Sequence, residues 1–217
     1  MPIAIILIIA SYLIGSIPFG LLISKHRGID LREEGSGNIG TTNAVRVLGK
    51  KWGIVTGILD ILKGTVIIVL IYILEACDLW TNPIIINGES IYVIYGIAAV
   101  IGHVFPVFLK FKGGKAVATS FGVLLAITPW SALIVIINFA IVVAICGYVS
   151  LGSSIGALMA IPASFIIYQD NLYSNLFMII MVALIIYRHI GNYKKLLNGT
   201  ERCFKKKKEE KEANTKM

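Results

Sequence analysis

One polar segment between the apolar runs of this sequence combines glycines with small neutral donors and ends in an arginine. It runs from Gly35 to Arg46 and reads GSGNIGTTNAVR. Glycine lets a backbone approach a ligand closely and expose its N–H groups, and arginine presents a planar fork that suits a phosphate group. The alternative is a flexible loop followed by a short helix with Thr42 or Asn43 as its cap. The length of the segment and its arginine favour anion binding.

A second polar segment places two lysines around two glycines just before an apolar run. Residues 111–119 read FKGGKAVAT. At the N-terminus of a helix, the helix dipole, the free N–H groups and a lysine charge together favour a phosphate group. The segment lacks the Gly-x-x-x-x-Gly-Lys-Ser/Thr pattern of a Walker A loop, so ATP binding is not inferred. A tight turn with membrane-proximal lysines explains Lys112 alone, whereas Gly113, Gly114 and Lys115 as a set indicate phosphate binding.

A third group of polar residues closes the last apolar run. His189 and Asn192 are three residues apart and therefore share one face of a helix. A histidine in this position could donate to a phosphate or accept a hydroxyl proton. An interfacial histidine beside the snorkelling side chains of Arg188 and Lys194 explains this motif equally well when it is taken alone.

Two smaller polar features lie in or beside apolar runs. Asp60 and Lys63 are inside such a run, where charges usually pair or line a cavity. We expect them to pair with each other, with a supporting role near the site. Residues 150–153 read SLGS and predict a small-residue turn. That turn could let helices pack closely, or Ser153 could reach a ligand.

The composition indicates what kind of protein must position these residues. Of the 217 residues, 57% are hydrophobic and 15% are charged, and the mean hydropathy is +0.83. An ordinary soluble domain is about half apolar and about a quarter charged, and disordered chains lack apolar residues. The chain is therefore predicted to be an integral membrane protein. Its three scattered cysteines, Cys77, Cys146 and Cys203, argue against a disulfide framework and against a zinc site.

Seven apolar segments predict seven helical crossings of a membrane. They are Ile3–Ile23, Trp52–Leu74, Ile91–Leu109, Ala116–Trp130, Ser131–Tyr148, Leu151–Tyr168 and Leu172–Tyr187. As one helix, residues 116–149 would extend about 50 Å, which is too long for a hydrocarbon core of about 30 Å, so a break is predicted at Thr128-Pro129-Trp130. Pro162 interrupts its segment, but proline is tolerated in membrane helices. No basic stretch precedes the first segment, which we therefore interpret as a retained span and not a signal peptide.

The basic residues predict the orientation of these spans. Lys and Arg number six in residues 24–51, three in residues 110–115 and ten after residue 187, which is 19 of the 20 in the chain. The positive-inside rule then puts the N-terminus outside and the C-terminus in the cytoplasm. We expect an all-α domain of seven transmembrane helices over residues 1–201 and a polar, lysine-rich cytoplasmic tail over residues 202–217. The net charge of +8 is attributed to this asymmetry, beside anionic lipid, and not to nucleic-acid binding.

Taken together, these residues resemble the bacterial acyl-phosphate:glycerol-3-phosphate acyltransferase family. The resemblance covers nearly the whole chain and rests on the order and spacing of its motifs. The motifs are residues 15–20, Gly35–Arg46, the set Asp60, Lys63 and Gly64, Gly102–Thr119, Ser150–Ser153 and the set His189, Asn192 and Glu201. The family has seven spans and an active site that faces the cytoplasm. The resemblance thus implies a multi-pass protein of the bacterial inner membrane.

The resemblance also implies a reaction and a set of site residues. A fatty acyl group would pass from acyl phosphate to glycerol 3-phosphate, giving lysophosphatidic acid and phosphate in phospholipid biosynthesis. The residues implied to be catalytic are Ser36, Arg46, Lys115, His189 and Asn192. Those implied to bind substrate are Gly37, Asn38, Gly40, Asn43, Lys112, Gly113, Gly114, Thr119 and Ser153. Glu201, Asp60 and Lys63 are implied to be structural, no metal or cofactor is expected, and a monomer is expected.

Two other classes of protein compete with this interpretation. A small transporter for a phosphorylated solute would use the same basic loops, but it should also need polar residues along its spans. A membrane scaffold would leave the three glycine-rich polar motifs unexplained. A thioester donor is a variant of the first interpretation, and acyltransferases of that type typically carry His-x-x-x-x-Asp. None of His26, His103 and His189 has an aspartate at that distance, which speaks against acyl-CoA or acyl carrier protein as the donor.

Overall fold

The computed structural model describes residues 2–82, 84–86, 89–90, 92–167 and 172–204, and within these ranges the chain is predominantly helical. The helices are α1 (Pro2–Ser16), α2 (Phe19–His26), α3 (Thr41–Leu48), α4 (Lys50–Ala76), α5 (Val93–Val104), α6 (Val117–Ile127), α7 (Pro129–Cys146), α8 (Val149–Ile167) and α9 (Leu172–Leu197), with a 3₁₀ turn at Val107–Leu109. An antiparallel pair of two-residue strands, β1 (Ile85–Ile86) and β2 (Glu89–Ser90), lies between α4 and α5 and departs from the all-α expectation. Ile91, Tyr168 and residues 205–217 of the predicted spans and tail lie outside the described residues.

The first predicted span is not one continuous helix. The sequence predicts one span over Ile3–Ile23, but α1 ends at Ser16 and α2 begins at Phe19, and the two helices meet at an angle of 40°. Pro18 causes the break, because proline has no N–H to donate and its ring clashes with the preceding turn. At the break, the carbonyl of Ile17 accepts from the Lys63 ammonium over 2.9 Å and from the backbone N–H of Phe19 over 3.1 Å.

The predicted break between the fourth and fifth spans is confirmed. Helix α6 ends at Ile127, and α7 begins with Pro129 in its first turn, where the missing N–H costs nothing. Pro162 lies inside α8 without ending it. The prediction of a turn at Ser150–Ser153 was wrong, since α8 already begins at Val149 and the turn is made by Gly147 at a φ of 75°.

The helices form two groups that pack closely at glycines. In the first group α1 packs on α5 and α4 packs on α6, and in the second α7 packs on α8 and α8 packs on α9. A Cβ atom on Gly122 of α6 would lie 2.0 Å from the carbonyl oxygen of Ile61 on α4, so only glycine allows this approach. The two groups leave space between them, and that space contains the candidate site.

Several described helices suit a bilayer. Helices α4, α7 and α8 are each long and apolar enough to cross a membrane, the pair α1 and α2 is a further candidate as one bent span, and the helices at Val93–Leu109 and Val117–Ile127 are shorter and apolar. Helix α7 directs large apolar side chains outward, including Trp130 at 64% and Ile145 at 69% exposure. An apolar surface of this kind is stable in lipid and not in water.

Candidate active site

A cavity of about 520 Å³ lies between the two helix groups and changes from polar to apolar along its length. Its polar lining consists mainly of Ser36, Asn38, Thr42, Arg46, Lys115, Ser153, His189, Asn192, Lys195, Glu201 and Arg202. Its apolar lining includes Ile61, Phe121, Leu124, Val135, Ile136, Phe139, Ala157, Ala160, Met178, Met181, Val182 and Ile185. Helix α9 shows the change most clearly, because its lining residues run from Lys195 through His189 to Ile185 and Met178. The cavity therefore suits a molecule with an anionic head and a long apolar tail.

The Gly35–Arg46 segment is held in shape by one buried amide. The Asn43 side chain accepts from the backbone N–H of Ser36 over 2.8 Å and donates to the carbonyls of Leu31 and Glu34 over 3.1 and 3.0 Å. Both parts of its amide are thus used on the loop itself. This supports a role for Asn43 in positioning Ser36, in addition to the place it takes in the cavity wall.

The predicted short helix after this loop is present, but its start differs from the prediction. Helix α3 begins at Thr41, and Gly40 precedes it in an extended conformation, so neither Thr42 nor Asn43 is the cap. Gly37 has a φ of 72°, a left-handed conformation that glycine adopts without steric cost. Because α3 starts here, Arg46 lies one turn further on and reaches the cavity.

The Gly113–Gly114 loop is bound on both sides. The N–H groups of the two glycines donate to the carbonyls of Val104 and His103, each over 3.1 Å. On the other side, the Arg188 guanidinium donates to the carbonyl of Gly113 over 2.8 Å and to that of Gly114 over 3.1 Å. The glycine N–H groups are therefore engaged within the protein, and the two glycines shape the loop.

Arg188 was one of the residues that the sequence did not identify. The sequence allows a snorkelling arginine here, whereas the structure shows that Arg188 is the donor that connects α9 to the loop before α6. Glycine is required at both loop positions, since a Cβ on Gly113 would lie 2.1 Å from the His103 carbonyl and one on Gly114 would lie 2.2 Å from His103 Nε2. The only sequence signal for the arginine was its position directly before His189.

Lys115 is joined to the C-terminal end of the chain through two side chains. Its ammonium donates to Asn192 Oδ1, and Asn192 Nδ2 donates to Glu201 Oε1 over 2.7 Å. The Ser150 hydroxyl donates to the same Glu201 oxygen over 3.1 Å. These bonds connect the start of α6, the start of α8, the last turns of α9 and the segment after it. They fit the structural role expected for Glu201.

The polar end of the cavity carries an excess of positive charge. The pKa of Lys115 is lowered to about 8, mainly by burial; Glu201 opposes this shift, and the nearby cations Lys195, Arg188 and Arg46 contribute to it. Burial also lowers the pKa of Arg46 from its ordinary value, with Arg202 as the next cause. Cations that are partly removed from water and close to one another favour the binding of an anion between them.

His189 is buried and its ring is oriented by the backbone. Its Nδ1 lies 2.8 Å from the carbonyl oxygen of Ile185, and the side chain is 2% exposed. A carbonyl only accepts, so this contact places the ring proton on Nδ1 and leaves the Nε2 lone pair for another partner. His189 is thereby able to accept a hydrogen bond, or a proton, from a hydroxyl group in the cavity.

A buried charge pair lies near His103, the residue that packs against the Gly113–Gly114 loop. Lys63 Nζ and Asp60 Oδ1 are 2.8 Å apart, which confirms the predicted pairing. His103 Nδ1 lies 3.1 Å from the hydroxyl of Thr119 and 3.8 Å from Asp60 Oδ1. Thr119 therefore contacts His103, which in turn packs against Gly114. In the sequence, His103 is marked only by its place in the Gly102–Thr119 motif.

The structure brings most of the predicted site residues to one cavity. Those in its wall are Ser36, Asn38, Gly40, Asn43, Arg46, Lys115, Ser153, His189 and Asn192, together with Asp60 and Glu201. Those outside it are Gly37, Lys112, Gly113, Gly114, Thr119 and Lys63, and Lys112 is exposed. The cavity adds Lys195, Thr200 and Arg202, which the motifs did not single out. Across the described ranges, no three His, Cys, Asp or Glu side chains are grouped so that they could hold a metal ion.

The chain is similar to known proteins over nearly its full length. A family model described as "Glycerol-3-phosphate acyltransferase" matches residues 5–199. Glycerol-3-phosphate acyltransferase 2 of Bacillus cereus is 43% identical over 199 residues, covering 90% of this chain and 92% of the relative. Glycerol-3-phosphate acyltransferase of Geotalea daltonii is 41% identical over 202 residues, covering 93% of this chain and 98% of the relative.

Two solved structures have the same fold. Both are crystal structures of PlsY (YgiH), an integral membrane glycerol 3-phosphate acyltransferase. The glycerol 3-phosphate form has a TM-score of 0.82 and 38% sequence identity, and the match covers 93% of this chain and 95% of that chain. The lysophosphatidic acid form has a TM-score of 0.79 and 37% identity, with coverage of 92% and 94%.

Replacing Arg188 with Gln should loosen the glycine loop. The change removes two charge-assisted hydrogen bonds and leaves the carbonyls of Gly113 and Gly114 without this donor, which should cost about 1–3 kcal/mol of local stability. We expect faster amide hydrogen exchange in residues 112–115, measured by mass spectrometry in detergent, with little change in α8. Lys194→Gln, on the exposed surface of the same helix, is the matched control. Equal exchange in the loop of R188Q and the unmodified protein would contradict the anchoring role of Arg188.

Proposed function

Because this chain belongs to the glycerol-3-phosphate acyltransferase family, we propose that it transfers a fatty acyl group from acyl phosphate to glycerol 3-phosphate. The products are lysophosphatidic acid, acylated at the first hydroxyl of glycerol 3-phosphate, and inorganic phosphate. The observation that carries the proposal is the single cavity with a cationic polar end and an apolar continuation. One solved relative is a glycerol 3-phosphate form and the other a lysophosphatidic acid form, which are an acceptor and a product of this reaction.

The polar end of the cavity fits a donor that is already activated. In acyl phosphate the leaving group is phosphate, so the acceptor hydroxyl can attack the acyl carbonyl directly. The new bond joins the glycerol oxygen to the carbonyl carbon, and the bond from that carbon to the phosphate oxygen breaks. The hydroxyl proton passes to a phosphate oxygen of the substrate, with His189 Nε2 as the alternative acceptor. The residues then need to bind two phosphates and orient them, which is the task of the surrounding cations.

Each of the main side chains has a role in this scheme. Ser36, Arg46 and Lys115 hold phosphate, and the Gly113–Gly114 loop shapes the acyl-phosphate site. His189 and Asn192 position glycerol 3-phosphate, with Ser153 beside them. Glu201 keeps Asn192 in place through the bond of 2.7 Å from its side-chain nitrogen. A transporter of a phosphorylated solute is less well supported, since the cavity becomes apolar away from its cationic end.

The reaction is tested with purified protein, palmitoyl phosphate and glycerol 3-phosphate. We expect phosphate and lysophosphatidic acid to be released together, only when glycerol 3-phosphate is present, and not when palmitoyl-CoA replaces the acyl phosphate. Ser36→Ala, Arg46→Ala and Lys115→Ala should remain folded and lose most activity. If the folded protein released neither product, the proposed reaction would be wrong, and uptake of phosphorylated solutes into liposomes would be measured. Activity with palmitoyl-CoA would overturn the donor alone.

The chain is further proposed to cross the bacterial inner membrane seven times, with its site facing the cytoplasm. The bent pair α1 and α2 would be the first crossing, and α4, α5, α6, α7, α8 and α9 would be the others. The basic ends of α3 and α9 lie at the polar end of the cavity, where Arg46 and Lys195 line it. Basic residues stay preferentially on the cytoplasmic side.

The three native cysteines test this orientation. Cys77 follows α4 and is exposed, Cys146 ends α7 and is exposed, and Cys203 is partly buried after α9. A membrane-impermeant maleimide added to intact spheroplasts should label Cys77 only, and permeabilised membranes should add label at Cys146. Variants that keep one cysteine each, with the others changed to Ser, assign the label. Labelling of Cys146 in sealed spheroplasts would contradict the proposed orientation.

Deprotonation of Lys115 should determine how kcat/KM for glycerol 3-phosphate falls at alkaline pH. Its pKa is lowered to about 8, so the side chain is cationic below that pH and loses its charge above it. Since kcat/KM reflects ionisations of the free enzyme, we expect kcat/KM for glycerol 3-phosphate to fall as pH rises through about 8. Lys115→Arg should keep its charge and move this fall to higher pH. Lys110→Arg, at an exposed lysine outside the cavity, is the matched control. An unchanged alkaline limb in K115R would show that another group is responsible.

A further inference from the structure

Four buried side chains from three helices line the apolar part of the cavity. Leu124 comes from α6, Ala160 from α8, and Met178 and Met181 from α9, and all four line the cavity. Their exposed fractions are 7%, 1%, 1% and 4%. They belong to one packed core cluster with Val123 and Ala132, which do not line the cavity. We refer to these four lining residues as the cavity floor.

The distance from the polar end to the floor corresponds to a particular length of acyl chain. Along α9, Met178 lies eleven residues before His189 and fourteen before Asn192. At about 1.5 Å per residue, these separations are about 16 Å and about 21 Å. An extended chain advances about 1.2 Å per backbone bond, so a palmitoyl chain spans about 18 Å and an eicosanoyl chain about 23 Å. The palmitoyl length falls between the two distances and the eicosanoyl length exceeds both.

We propose that the cavity floor sets the longest acyl chain that the enzyme accepts, with Ala160 and Met178 as the specificity-determining residues. The inference rests on the proposed function and adds the substrate class, which is acyl phosphates up to about the palmitoyl length. Ala160 is small, so a larger side chain there should shorten the cavity. Met178 is long and flexible, so a smaller side chain there should lengthen it. A longer chain would have to push these side chains into the core cluster behind them.

The wall beside α7 offers a different path and makes the proposal testable. Ile136 lines the cavity and is 41% exposed, so this wall is more open than the floor. A chain that left the cavity beside Ile136 would continue into lipid, and its length would not be limited. The two paths predict different chain-length profiles. They also predict different effects of changing Ala160 or Met178.

The experiment measures competition between acyl phosphates of different length in the same mixed micelles. Dodecanoyl, palmitoyl and eicosanoyl phosphate are supplied in pairs with glycerol 3-phosphate, and the ratio of the two lysophosphatidic acid products gives the ratio of kcat/KM values. In the unmodified enzyme we expect palmitoyl phosphate to be preferred over eicosanoyl phosphate by about tenfold or more, since pockets discriminate about tenfold or more per misplaced methylene group. This first measurement uses only the unmodified enzyme, so its result does not depend on whether a variant folds.

Two variants should move the limit in opposite directions. Ala160→Leu places a larger side chain at the cavity floor. The kcat/KM for palmitoyl phosphate relative to dodecanoyl phosphate should therefore fall about tenfold. Met178→Ala removes side-chain volume from the cavity floor and so lengthens the cavity. The kcat/KM for eicosanoyl phosphate relative to palmitoyl phosphate should therefore rise by a similar factor. Ala140→Leu on the exposed face of α7 and Ile179→Ala on the exposed face of α9 make the same kinds of change away from the cavity. Both controls should keep the profile of the unmodified enzyme.

The outcomes separate this inference from the proposed function. Equal use of palmitoyl and eicosanoyl phosphate by the unmodified enzyme would overturn the inference and show that the chain leaves beside α7. Unchanged ratios in both A160L and M178A would overturn it as well. Absence of turnover with every acyl phosphate, including dodecanoyl phosphate, would instead contradict the proposed reaction itself. Opposite shifts in the two variants, with unaltered controls, are the expected result.

Discussion

A partly buried ammonium group connects the two helix groups of this protein. Lys115 stands at the start of α6 and donates to Asn192 on α9, which in turn donates to Glu201 after that helix. Burying a cation is costly unless it is paired or hydrogen-bonded, so this position depends on the polar groups around it. The positions of α6, α8 and α9 are therefore tied to one another at the place where a substrate phosphate would bind.

The same arrangement explains why the cavity is polar at one end only. Amide, hydroxyl and cationic groups gather where the loops before α3 and α6 meet the end of α9, and the space between the helices beyond them is apolar. The hydrocarbon core of a bilayer offers no hydrogen-bond partners, which favours apolar side chains in this part of the cavity. In the proposed reaction, an acyl chain and an anionic head would occupy one continuous space, with the carbonyl carbon at the boundary between the two environments.

The site also requires that the backbone of the Gly113–Gly114 loop pack closely against the end of α5. The Gly113–Gly114 loop fits against His103 only because neither glycine has a Cβ, and Arg188 binds its carbonyls from the opposite side. The sequence predicts free N–H groups that bind phosphate here, but the N–H groups of both glycines donate to carbonyls at the end of α5. The loop thus presents Lys115 in a defined position, and the positive charge, more than the glycine backbone, is available to an anion.

The sequence by itself determined the membrane class, the break at Pro129, the pairing of Asp60 with Lys63 and the family, because these depend on composition, on local spacing and on residue order. Most of the site residues that it predicted also lie in the cavity wall. Only the tertiary structure decided that Arg188 turns onto a loop 74 residues away and that α1 and α2 are separated by a bend. Contacts of this kind depend on how distant helices pack, and a side chain of a given type can donate to water, lipid phosphate or a carbonyl until that packing selects its partner.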